Sequence, residues 1–304
     1  MSFPNLLRRQ SSTESPAPAV GGPIRGFAVY IALLTLLFIQ PLWRLAAYAA
    51  GSDLHSHILL VPFITAYLLY LRRGQAPAAQ AHSMAATVVM GLLGVGALAA
   101  WFGLRGRLSI NDGLALAALA FICFVAAGGF HFLGSAWMRA RVFPFSFLIF
   151  MAPLPDAWVD SLEKASMLAS ADAAAYYFHL AGLPHVRQGT VFELPNIVLQ
   201  VAQECSGIRS SWVLFITSVV AANLCLRSWW SRLLLVAFVI PLGILRNGFR
   251  ILVIGLLCVH VGRDMIHSPI HHRGGPIFFA LSLIPLALLL WWLWWLERRL
   301  NPRG

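Results

Sequence analysis

A chain of 304 residues that is 59% hydrophobic and only 11% charged lacks the polar surface of a water-soluble domain, which carries about 25% charged residues. Its mean hydropathy of +0.76 is concentrated in long apolar blocks rather than alternating or one-face patterns, so lipid is its solvent. The net charge of +11 comes from arginines and the single Lys164, clustered beside the apolar blocks as in loops held on the cytoplasmic side of a membrane, and not spread as a nucleic-acid surface.

Residues 1–24 are rich in Ser, Pro and Gly and are predicted to be a disordered cytoplasmic arm. No small-residue cleavage site follows the first apolar block, which is therefore expected to be a span rather than a removable signal. About 20 apolar residues cross a bilayer at about 1.5 Å each. Eight spans are expected, at 26–43, 58–71, 84–103, 113–130, 142–153, 206–226, 231–262 and 276–296. The expected fold is an all-α polytopic membrane protein, with residues 25–296 forming one transmembrane domain. Between the fifth and sixth spans, residues 154–205 form an external cap. Pro153 and Pro155 break the helix there, 157–182 read as a surface helix, and 189–195 and 197–201 read as two short strands around a Pro-Asn turn.

The region 231–262 admits two short helices broken near Arg246 or one helix kinked at Pro241. Arg232 and the tail arginines Arg298 and Arg299 belong on one side, so an even number of crossings separates them and a single helix of about 48 Å is expected. Both termini then lie in the cytoplasm, 297–304 form a cytoplasmic tail, and no further domain is expected after the last span.

Three cysteines, Cys123, Cys225 and Cys258, sit in apolar runs and read as inert small hydrophobes. Cys205 differs. It stands at the external mouth of a span, followed by Ser206, Gly207, Ile208 and Arg209, where free N–H groups and the positive helix end favour a thiolate. A chance cysteine beside a helix cap is the plain alternative. Arg250, with Arg246 and Asn247, places guanidinium charge within a span, a functional candidate unless it serves a structural ion pair or the interface; Arg209 shares that ambiguity. His271 and His272 precede the last span and can exchange protons near neutrality. A metal there is not favoured, because no carboxylate stands at helical spacing and Arg273 repels a cation. His55 and His57, at the mouth of the second span, read as a metal pair on spacing alone or as polar anchors of a helix end. No cofactor is expected.

A thiol, a guanidinium and an imidazole at the external face suit acyl transfer: His draws the proton, the thiolate attacks a carbonyl and Arg stabilises the oxyanion. No carboxylate is placed to orient the imidazole, Asp264 being the nearest in sequence. A transporter lined by Arg250 and the histidines is the alternative from another class, and predicts polar residues at mid-depth in several spans. The early spans are almost pure Ala, Leu, Val and Phe. A non-catalytic membrane scaffold is the third reading.

Glu204-Cys205-Ser206-Gly207-Ile208-Arg209, Asn247-Gly248-Phe249-Arg250 and His271 through Gly275 resemble, in order, the C-S-G-[IL], N-x-x-R and H-x-x-x-G motifs of the exosortase/archaeosortase family of membrane cysteine transpeptidases. Ser56-His57-Ile58-Leu59-Leu60-Val61-Pro62 resembles its S-H-G-x-L-V-P element with Ile58 in place of Gly, and Pro153-Leu154-Pro155 its Pro-Leu-Pro turn. The resemblance implies Cys205 as nucleophile, Arg250 as the required arginine and His271 as acid/base. His272 stands as the alternative imidazole and Arg246 as a second arginine. Supporting roles fall to Asn247, Ser206, Gly207, Arg209 and His57. It implies partners with a C-terminal sorting tail, made of a short Pro-Glu-Pro-like motif, a transmembrane helix and a basic cluster. It also implies placement in the cytoplasmic (inner) membrane with the active site outside, transfer to an acceptor there, and association with exopolysaccharide production.

Overall fold

In lipid each backbone N–H must be satisfied within its own segment, so apolar blocks free of breakers become helices. The computed structural model describes residues 21–52, 54–73, 83–195, 197–201, 207–262, 264–265 and 275–300. Helix α1 (Gly21–Leu37) turns by 73° at Phe38 into α2 (Ile39–Ala50). A 3-10 stretch, Ser56–Leu60, feeds α3 (Val61–Leu71). Then come α4 (Met84–Gly103), α5 (Ile110–Phe132), α6 (Gly134–Ala140) and α7 (Val142–Phe147), the last continuing as a 3-10 turn to Met151. The chain bends by 88° into α8 (Asp156–Leu180), where Pro153 and Pro155 deny the helix its backbone donors. Strands β1 (Val186–Gln188), β2 (Val191–Leu194) and β3 (Ile197–Gln200) form an antiparallel sheet in that order. Three long helices close the fold: α9 (Ile208–Cys225), α10 (Trp229–His260) and α11 (Gly275–Leu300).

The result is an all-α polytopic membrane protein with one small sheet. Five helices, α4, α5, α9, α10 and α11, are long and apolar enough to cross a bilayer, or seven spans if each bent pair counts as one. The expected spans at 26–43, 58–71 and 142–153 fall on the bent α1–α2 pair, the short apolar helix Ser56–Leu71 and the run Val142–Met151. That last run reaches only about 15 Å, half the hydrocarbon thickness, so length and composition do not establish eight spans. Region 231–262 is one continuous helix with Pro241 inside it. The cap carries a third strand, β1, that its sequence Val-Arg-Gln does not announce. The first 20 residues of the arm, the Pro-Asn turn at Asn196 and the last four residues of the tail lie outside the described residues.

Polar contacts sort the bundle into two ends. At one, Arg72 on α3 donates to Asn223 on α9 at 2.7 Å, and Arg141 donates to the Arg72 carbonyl at 3.1 Å. Glu297 on α11 accepts from the Arg227 and Ser228 amides at 2.8 and 2.9 Å, and Arg298 and Arg299 lie over Trp294 and Trp295. Arginine and tryptophan together are the mark of a membrane interface. At the other end, Asn111 of α5 donates to the Leu154 carbonyl at 2.6 Å and to Asp156 at 2.7 Å, while Asp112 accepts from the Asp156 amide at 2.9 Å. These bonds pin the turn between α7 and α8 to the start of α5.

Three apolar cores divide the interior. The first joins α1, α2, α3, α5 and α7, and reaches Ile216 of α9. The second joins α8 and the sheet to the last half of α10, through Phe178, Phe192, Leu194, Ile251 and Ile254. The third joins α9, the first half of α10 and α11. Helix α10 is thus a spine: its first half packs among spans and its second half holds the cap.

The α8–α10 contact depends on Gly248, since a Cβ there would lie 2.6 Å from the Ala173 Cβ and 3.1 Å from α8 backbone atoms. Gly248→Leu should therefore lower the thermal unfolding temperature of detergent-solubilised protein, at a cost of about 1–3 kcal/mol. Gly91→Leu, on a helix face with nothing within 4 Å, should leave it unchanged. Equal melting of the two variants would contradict this packing.

Candidate active site

Helices α9 and α10 run antiparallel from the short link at 226–228, so the start of α9 lies beside the middle of α10. The run from Trp229 to Arg246 spans about 26 Å, close to the hydrocarbon thickness of about 30 Å. Trp229 and Trp230 are exposed at the basic end, which places Arg246 at the opposite, cap-side rim. There the guanidinium avoids the cost of the bilayer centre.

Arg246 is 8% exposed. Its Nη2 donates to the Gly207 carbonyl at 3.1 Å and to Ser211 Oγ at 3.0 Å. The same carbonyl accepts the Ser211 amide at 3.0 Å and the Ser210 hydroxyl at 3.1 Å, so three donors converge on the residue that opens α9. Gly207 sits at φ +70°, the left-handed region that costs a residue with a Cβ about 1–2 kcal/mol. A Cβ there would also lie 3.0 Å from Asn247 Cγ. Both the backbone angle and the contact demand glycine.

Positions 243, 246, 247 and 250 form one stripe at helical spacing. Three of them face α9: Gly243 against Ser211, Arg246 on Gly207 and Ser211, and Asn247 against Gly207. Arg250, half-buried, continues the stripe one turn beyond the first residue of α9. Phe249 meets Phe278 of α11 edge-on at 6.3 Å, so the start of α11 reaches the same level. Arg209 is exposed.

The adjacent face of α9 meets the 3-10 stretch that leads into α3. Trp212 Nε1 donates to His57 Nε2 at 3.3 Å, and His57 Nδ1 lies 3.0 Å from the Leu54 carbonyl. The indole donates to Nε2 and the Leu54 carbonyl faces Nδ1, with the Phe150 backbone a further partner of the ring. His57 is 9% exposed. Trp212 also packs on Phe150 and stacks on Phe215 at 5.3 Å. His55 turns elsewhere, its Nδ1 3.1 Å from Ser52 Oγ. The spacing that offered the two histidines as a metal pair instead assigns them separate bonds. Among the described residues no group of three His, Cys, Asp or Glu could hold a metal ion.

Beside Trp212 lies a cavity of about 540 Å³, walled by Leu116, Phe150, Leu154, Pro155 and Trp158. It opens at the cap-side end of the bundle and is almost wholly apolar, suited to an apolar side chain or tail rather than a charged one.

Of the residues singled out in the sequence, the structure brings together Gly207, Arg246 and Asn247, with Arg250 on the same stripe and His57 against the adjacent face of the same helix turn. Cys205, Ser206, His271 and His272 lie outside the described residues. Two partners escaped the sequence reading, Ser211 and Trp212. Ser211 had a signal, since it stands four residues after Gly207 and so on the same helix face. Trp212 read simply as part of an apolar span.

A family model described as transmembrane exosortase (Exosortase_EpsH) matches residues 43–288 of the chain. No curated protein and no solved structure matches it.

Gly207→Ala should destabilise the start of α9 by about 1–2 kcal/mol from the backbone angle alone, and Asn247→Ala should not restore it, because the angle remains. Wild-type stability of Gly207→Ala would contradict the left-handed cap. Burial, and then the neighbouring His57, push the His55 pKa down to about 4, against an opposing pull from Asp156. Between that value and the ordinary 6.5 the unfolded chain binds a proton that the folded chain refuses, so stability is greatest above pH 6.5 and falls toward pH 4. His55→Gln should flatten the melting temperature over this window relative to wild type; parallel pH curves for the two proteins would refute the shift.

Proposed function

The chain belongs to the transmembrane exosortase family, and from that premise we propose that it is a cysteine transpeptidase whose nucleophile is Cys205, whose oxyanion-stabilising cation is Arg250 and whose proton carrier is His271, with His272 as the alternative imidazole. The observation that carries this reading is the contact of Gly207 with Arg246 and Asn247. It sets the end of the Cys205-Ser206-Gly207 motif against the Asn247-to-Arg250 motif on a neighbouring helix.

Covalent reach does the rest. Two residues span at most about 7 Å, so Cys205 is tied to the surroundings of Gly207. Arg250 stands one turn past that contact on α10. His271 precedes by four residues the helix whose Phe278 meets Phe249. These spacings support the reading that all three groups gather at the cap-side rim of the bundle.

The chemistry runs in two acyl transfers. His271 takes the Cys205 proton, the thiolate adds to the scissile carbonyl, and the resulting oxyanion faces the Arg250 guanidinium. Collapse forms the thioester and breaks the C–N bond, and the imidazolium returns its proton to the departing amine. The acceptor nucleophile then gives a proton to His271 and displaces Cys205 from the acyl group. The substrates are exported proteins with a C-terminal sorting tail of motif, transmembrane helix and basic cluster. The helix lies in the same bilayer, and the basic cluster rests at the arginine-rich, cytoplasmic end. The cap and its catalytic rim face outward from the cytoplasmic membrane.

Cys205→Ser should abolish processing of a co-expressed tail-bearing protein while the enzyme stays in the membrane. Arg250→Lys should lower the rate by about 100-fold or more, the scale of losing an oxyanion donor, because an ammonium lacks the planar fork. Processing at the wild-type rate in Cys205→Ser would refute the nucleophile assignment; the same result in Arg250→Lys would make Arg250 structural.

A further inference from the structure

We infer that Arg246 and His57 are positioning residues that clamp the first turn of α9 from two adjacent faces, and through it aim the nucleophile; the second half of this inference rests on Cys205 being that nucleophile. Two arginines stand one turn apart on α10, and the sequence leaves open which of them serves the chemistry. The geometry divides the labour. The Nη2 of Arg246 is committed to two acceptors on α9, the Gly207 carbonyl and Ser211 Oγ, and its side chain is buried between the helices. A guanidinium can bridge two acceptors because its donors form a rigid planar fork. Arg250, half-buried, lies one turn further along α10.

His57 acts from the adjacent face of the turn. Its Nε2 lies 3.3 Å from the Trp212 indole nitrogen, its Nδ1 lies 3.0 Å from the Leu54 carbonyl, and the Phe150 backbone is a further partner, so the ring is held in place by three neighbours. What it does is fix Trp212, which is wedged between Phe150 and Phe215. Residues 211 and 212 point about 100° apart around α9. One is held by α10 and the other by the 3-10 stretch that leads into α3, so the turn can neither rotate nor slide. The first core reaches α9 at Trp212 and Ile216 and the third at Leu214, but apolar contacts carry no directional bond. A misplacement of about 1 Å in a catalytic group costs about 100-fold, which is what a two-sided clamp prevents.

The test uses the full chain in lipid nanodiscs, with a purified tail-bearing substrate and amide hydrogen exchange over residues 208–213. Arg246→Met and His57→Phe should each speed exchange there at least tenfold and lower kcat at least tenfold, with KM within twofold of wild type. His57→Gln, whose side-chain oxygen can still accept the indole proton, should keep kcat within threefold. Ser211→Ala, which removes one acceptor and leaves the guanidinium in place, is the milder variant should Arg246→Met fail to fold, and should lower kcat two- to tenfold. Unchanged exchange in Arg246→Met and His57→Phe, or in Ser211→Ala where it stands in for Arg246→Met, would overturn the clamp. So would a loss confined to KM, or a His57→Gln variant as impaired as His57→Phe. Should Cys205→Ser still process substrate, the nucleophile assignment fails by itself, and the exchange data continue to decide whether the clamp exists.

Discussion

The Gly207 carbonyl is the point on which this molecule turns. It accepts the first helical bond of α9, a serine hydroxyl and the Arg246 guanidinium, and its residue can adopt that backbone angle and lie against Asn247 only as glycine. A charged group buried among spans is tolerated where it has acceptors and lies near a polar boundary. Arg246 meets both conditions, because α10 carries it to the far rim and α9 begins there. Lengthening the link between the two helices, or moving the arginine by one residue, would break the match of levels.

From that contact the rest of the architecture follows. Helix α10 is far longer than a bilayer requires, and the excess leaves the lipid to carry α8 and the sheet. The cap is therefore rooted in the same helix that bears the arginines, and its position relative to the rim is fixed by Gly248 and the apolar residues beyond it. The bonds from Asn111 and Asp112 to the Leu154–Asp156 turn hold Phe150 under Trp212. The polar groups of the cap end thus support one helix turn from three directions. The opposite end is built for anchoring, with arginines on tryptophans and Glu297 on two free amides.

Much of this was legible in the residues. The apolar blocks at 84–103 and 276–296 and the long 231–262 helix appear within a few residues of their expected limits, because lipid leaves an uninterrupted apolar segment no alternative to a helix. Arginine placement put 72, 141, 227 and 298 on one side, and the structure brings those segments to one end. The bends were not legible as bends. The α1–α2 turn at Phe38 lies inside a block that reads as continuous, and Pro153 and Pro155 announced a break without its direction. Strand β1 was invisible because three residues with no alternation carry no period. Within the site, Gly207, Asn247 and Arg250 were named from motifs and Arg246 from its charge within a span, whereas the roles of His57 and Arg246 required partners that only a three-dimensional structure supplies.

The proposed site requires Cys205 and Arg250 to face each other at the cap-side rim. In a chain whose Cys123, Cys225 and Cys258 are replaced by alanine, a short bifunctional thiol reagent should join native Cys205 to the side chain introduced by Arg250→Cys, closing an intramolecular loop detectable by mass spectrometry. A reagent that links neither, while joining Cys205 to Trp229→Cys at the basic end, would contradict the account.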